Sequence, residues 1–114
     1  MDKLIVGLLL ALLATPALAG KTGNDLYEAC SKPTHPQSMD DVAGSIACNN
    51  YVTGVIDGVR MTHAGMEQIS IPSNVTGQQI QDIVLQYLKL HPEKRHEPAV
   101  YLILTAVSEA FSKQ

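Results

Sequence analysis

The chain has no tryptophan, one phenylalanine and two cysteines in 114 residues. It has no run of basic residues, and its formal net charge is −3. Without Lys and Arg grouped against phosphates, nucleic-acid binding is not expected. The common catalytic signatures are missing as well. There is no G-x-S-x-G, no C-x-x-C, no H-E-x-x-H and no glycine loop of the kind that cradles phosphate. Asp40-Asp41 is an adjacent acidic pair. It reads as the charged start of a helix rather than as a catalytic dyad. These absences point away from an enzyme and toward a binding protein with no cofactor.

Long apolar runs are scarce too, and the one present is at the N-terminus. Residues 4–13 are apolar over about ten positions, too short to cross a bilayer. Lys3 and the terminal amine precede the run, and Pro16 breaks it. Ala17-Leu18-Ala19 then places small side chains where a signal peptidase needs them. Residues 1–19 are therefore expected to be a signal peptide, cleaved after Ala19, with a retained anchor as the alternative. No cysteine follows the cut, which argues against a lipoprotein. The expected location is the periplasm, with no membrane contact after cleavage. Residues 20–114 then form one small domain. Losing Lys3 and Asp2 with the leader keeps the net charge at −3.

A core of this size is marginal, so a covalent staple would help it. Cys30 and Cys48 both lie in the mature part. Exported thiols tend to pair, and closing this loop is worth roughly 3 kcal/mol in the chain-entropy model. A catalytic thiol is the other reading, but nothing local marks an activating histidine.

The periodicity predicts an all-α fold, a small bundle of about four helices with one disulfide. The first helix covers about residues 24–31, with Leu26, Ala29 and Cys30 inward, and Pro33 and Pro36 interrupt the chain after it. The second begins at Ser38, where Ser38-Met39-Asp40-Asp41 resembles a capping box. Its apolar positions are Val42, Ile46, Val52, Val55, Ile56 and Val59, and the pattern fades near residues 63–65. Gly44, Ala47, Gly54 and Gly58 are small, which predicts close approach of another helix or a kink. Residues 66–75 read as a loop. The third helix starts at Thr76, capped with Gln79. Ile80, Ile83, Val84, Tyr87 and Leu88 form the cleanest stripe in the chain, and His91-Pro92 ends it. The fourth opens at Pro98 as its first helical residue. Ala99, Leu102, Ile103, Ala106, Val107 and Ala110 are its expected buried stripe. Val100, Tyr101 and Leu104 widen that stripe past one face, so this helix is either central or part of an interface. The core is expected to be led by Val55, Val59, Ile80, Ile83, Val84, Tyr87, Ile103 and Val107. Gln81 is placed on the polar face.

Two groups could bind something. Met61, His63 and Met66 carry thioether and imidazole donors that suit copper, but the spacing is loose and packing residues near a helix end fit as well. No metal site is therefore assigned. The stretch between the third and fourth helices is the candidate partner-binding loop: His91, Glu93, Lys94, Arg95, His96 and Glu97. A solvated structural turn is the alternative, since Pro92 and Pro98 fix its shape.

An ordered set of residues also resembles a known family. Gly23-Asn24-Asp25-Leu26 followed by Cys30 looks like its opening. Cys48, Tyr51, Gly54 and Asp57 match a C-x-x-Y-x-x-G-x-x-D helix. Ile71-Pro72 with Val75-Thr76, then Tyr87-Leu88, His91-Pro92-Glu93, Arg95-His96 and Ala99, continue the pattern, and Ala110-Phe111 closes it. From Thr22 to Phe111 the sequence resembles the Rap/Tai family of type VI secretion amidase immunity proteins. The resemblance implies an all-helical bundle, commonly a homodimer. It implies a partner, a cell-wall amidase effector whose cleft is blocked sterically, with no chemistry on the immunity protein. Two departures stand out. The family often has cysteines where this chain has Ser70 and near Lys113, as expected if those two pair with each other. Their absence leaves Cys30 and Cys48 alone and loosens the expected hold on the 66–75 loop and the C-terminus. From another functional class, a periplasmic acid-stress chaperone is the alternative. Four histidines and the carboxylates would supply its charge change.

Overall fold

The computed structural model describes residues 20–33, 35–62 and 70–112. They form helices α1 (Gly23–Cys30), α2 (Met39–Thr62), α3 (Gly77–Leu90) and α4 (Ala99–Phe111), with a 3-10 turn at Pro92–Lys94. No strand forms among the described residues. An isolated antiparallel bridge joins Thr22 to Pro98. The fold is the expected all-α bundle with one disulfide. Residues 1–19, expected to be a signal peptide, and His63, Met66 and Lys113 lie outside the described residues.

Helix α1 is eight residues long, too short to persist alone. Three things fix it. Thr22 caps it: its Oγ1 accepts from the Asp25 N–H at 3.3 Å, while the Asp25 carboxylate accepts from the Thr22 N–H at 3.0 Å. Leu26 is buried in the core. Cys30 is disulfide-bonded to Cys48, with Cα atoms 5.0 Å apart, which pins the end of α1 to the middle of α2. The helix therefore starts one residue earlier than the sequence reading placed it.

Helix α2 begins after Ser38, whose Oγ accepts from the Asp41 N–H at 3.1 Å. The Asp41 carboxylate reaches one residue further out than in a standard box and accepts from the Gln37 N–H at 3.0 Å. The buried stripe is Cys48, Val52 and Ile56. Val55 and Val59, expected to lead the core, are only half-buried. Apolar side chains occur nearly all round this helix, so periodicity alone does not set its rotation. The disulfide does, since Val52 and Ile56 follow Cys48 at i+4 and i+8 on one face. Among the described residues no helix packs close on Gly54: a Cβ there meets no atom within 4 Å.

Helix α3 has the expected cap. Thr76 Oγ1 accepts from the Gln79 N–H at 3.1 Å, and Gln79 Oε1 accepts from the Thr76 N–H at 2.8 Å. Ile80, Val84, Tyr87 and Leu88 are buried, with Ile83 half-buried against them. Pro98 is the N-cap of α4 (φ −58°, ψ 133°), so the helix proper opens at Ala99 and not at the proline. Ala99, Leu102, Ile103, Ala106 and Val107 form its buried stripe, while Ala110 is exposed. Helix α1 packs chiefly on α2 and α4 chiefly on α3, and the two pairs close on a shared core.

Candidate functional site

The 91–97 loop divides its side chains between two tasks. Arg95 turns inward. Its Nε–H donates to the Leu88 carbonyl at 2.7 Å, and its guanidinium lies 3.7 Å above the centre of the Tyr27 ring. It thereby satisfies a carbonyl in the last turn of α3 that has no helical donor, and it covers an aromatic face of α1. The loop backbone completes the joint. The Gly23 N–H donates to the Glu97 carbonyl at 2.9 Å, and the Asn24 N–H to the Arg95 carbonyl at 2.7 Å. The Ala99 N–H donates to the Lys21 carbonyl at 2.8 Å. Two donors in the first turn of α1, which no helix can satisfy, end on this loop. Gly23 permits the approach, because a Cβ there would strike the Arg95 backbone and the Leu102 side chain.

His91 and Glu97 are half-buried, whereas Glu93, Lys94 and His96 are exposed. The His91 ring stacks obliquely on Tyr87, centroids 4.3 Å apart, and its Nδ1 lies 3.4 Å from Glu93 Oε1. The Glu93 carboxyl is held below its ordinary range by its own backbone N–H and then by His91. The Lys94 ammonium is pushed above its ordinary range by the Tyr87 phenol and nearby carboxylates. One oxygen of Glu97, Oε2, is buried with no hydrogen-bond partner among the described residues. The six sequence-selected residues thus share one loop. Three of them form a solvent-facing charged surface, and Arg95 belongs to the frame beneath it.

The other sequence candidates separate. Asp40 pairs with Lys32 at 2.9 Å and Asp41 caps α2, so the acidic pair serves the helix start. Met61 is exposed at the end of α2. Among the described residues, no three His, Cys, Asp or Glu side chains gather as a metal site would require. Gln81, expected on the polar face, is half-buried. Its Nε2 donates to Asn49 Oδ1 at 2.7 Å, a bond from α3 to α2 beside the disulfide.

A cleft of about 150 Å³, not legible in the sequence, lies between the second half of α2 and the start of α3. Val52, Ile56 and Ile80 line it, and Asp57, Arg60 and Gly77 stand around them. Asp57 and Arg60 sit one helical turn apart, a spacing visible in the sequence. The opposing wall comes from α3 and is not.

A family model of Rap1a immunity proteins matches residues 22–112. The chain belongs to this family. The match opens on Thr22, the cap of α1, and closes just after α4, so it takes in the entire described bundle. A comparison with curated proteins gives no match. Membership makes this an immunity protein, whose task is to bind a toxin. Of the two departures from the cysteine pattern, Ser70 lies against the end of α4, its N–H donating to the Phe111 carbonyl at 3.2 Å, and Lys113 lies outside the described residues. Among the described residues, no helix is long and apolar enough to cross a membrane.

Proposed function

We propose that this immunity protein is exported to the periplasm, where it binds a peptidoglycan amidase delivered by a type VI secretion system. It blocks the amidase cleft by occlusion, and no bond is made or broken on the immunity protein itself. The observation that carries this reading is the family match over the whole bundle. The same match favours it over an acid-stress chaperone. Residues 1–19, read as a signal peptide, supply the route. The contact is assigned to the 91–97 loop, through exposed Glu93, Lys94 and His96 on a frame that Arg95 stiffens. A rigid loop loses little entropy on binding, which suits a stoichiometric inhibitor. A homodimer belongs to the same reading, and exposed Val100 and Tyr101 on α4 give it apolar surface.

Protection in cells tests export and function together. Cells that lack the gene should lyse when a candidate type VI amidase is sent to their periplasm. The full-length chain should rescue them, and a version without residues 1–19 should not. Equal rescue by both forms would refute the periplasmic site, and rescue by neither would refute the target.

A further inference from the structure

The cleft between α2 and α3 has the form of a socket. Its floor is Val52, Ile56 and Ile80, all buried in the bundle, while Asp57 and Arg60 at its edge are exposed. Neither of those two charges makes an ion pair within the described residues. A volume of about 150 Å³ is what a benzene ring occupies in an apolar protein cavity, so one aromatic or branched aliphatic side chain fits. A small cleft with an apolar floor, flanked on the α2 side by charges of both signs that make no ion pair among the described residues, is the arrangement of an interface anchor site. The centre excludes water, and the rim selects polar neighbours. A lipid tail or a wholly apolar peptide would leave Asp57 and Arg60 unanswered as it covered them.

We infer that this cleft is a second contact site for the toxin, resting on the function proposed above. It takes one apolar side chain from a toxin loop that also carries an acidic residue. Arg60 meets the acidic group, helped by the positive end of α3 at Gly77. Asp57 meets a backbone N–H or a basic side chain on the other side. The 91–97 loop would then be one of two points that fix the orientation of the complex.

Gly77 offers a clean test, because it lines the cleft and an added Cβ there meets no atom within 4 Å. Gly77→Leu should fill the socket without disturbing the core. Gly54→Leu is the control, since its Cβ is equally unobstructed and it does not line the cleft. Calorimetric titration of the amidase should show affinity about tenfold or more weaker for Gly77→Leu, the scale of losing one anchor side chain. Gly54→Leu should bind like the parent, and Arg60→Glu should weaken binding in a salt-dependent way. Parent-like binding by Gly77→Leu would overturn the inference and leave the proposed function intact. Loss of a dimer in Gly77→Leu, with amidase affinity kept, would assign the socket to a second copy and also overturn it. If the parent binds no amidase, the proposed function fails, and the socket is then judged with N-acetyl-phenylalaninamide as probe. Methyl NMR shifts at Val52, Ile56 and Ile80 that vanish in Gly77→Leu would support an anchor site, and no shifts would refute it.

Discussion

At the scale of single residues, the joint between α1 and the 91–97 loop decides most. Gly23→Ala pushes a methyl into the Arg95 backbone and Leu102, so denaturant unfolding should show a loss of about 1–3 kcal/mol. Arg95→Ala removes a charged hydrogen bond and a cation–π contact and leaves the Leu88 carbonyl unanswered. About 2 kcal/mol should be lost. Glu93→Ala, two residues away in the same loop, should leave stability nearly unchanged. The proposed toxin contact of this loop is therefore best tested at exposed Glu93 or His96 rather than at Arg95. The carboxyls add a pH dependence. Asp25 is held below its ordinary value of 3.8 chiefly by the Thr22 backbone N–H, and Glu93 below 4.5 by its own N–H. A lowered folded value means stabilisation that is full above those ordinary values and lost as pH falls through the folded ones. Acid unfolding should steepen below that range, and Asp25→Asn should flatten its share of the curve.

At the scale of elements, the helices differ in how much of them the sequence alone reveals. Helix α3 is the most legible, because it has a bounded apolar stripe and a defined start, and Thr76 with Gln79 forms the cap that the spacing implies. Helix α2 is legible as a helix but not in its rotation. Valines and isoleucines occur on several of its faces, and a cross-link to another element sets which face turns inward. The difference is measurable. Val52→Ala should cost more than Val55→Ala, because Val52 is 1 % exposed whereas Val55 flanks the core. Ile103→Ala, at the centre of α4, should cost about 2–5 kcal/mol. Helix α1 depends most on its partners. Reducing Cys30–Cys48 should lower stability by about 2–4 kcal/mol, with hydrogen exchange rising first in α1. Uniform exchange across all four helices on reduction would contradict that role for the disulfide.

For the whole molecule, the pattern of exposure separates what holds the bundle from what remains free to bind. The charged character of the 91–97 loop is plain in the sequence, as are the prolines that bound it. The inward turn of Arg95 is not, because its partners Tyr27 and Leu88 come from α1 and α3 and meet only in the folded chain. The α2–α3 cleft escapes the sequence for the same reason: its walls lie on two helices. The proposed cleavage after Ala19 is checked by N-terminal sequencing of the exported protein, which should begin at Gly20. The proposed binding of a cell-wall amidase is tested most directly by hydrolysis of purified peptidoglycan by a candidate type VI amidase, titrated with the mature protein. Release of cleaved cross-links should fall to zero near one immunity protein per amidase, with an intact complex recovered by gel filtration. Undiminished hydrolysis at a large excess of folded, disulfide-bonded protein would contradict the assignment of an amidase as its target.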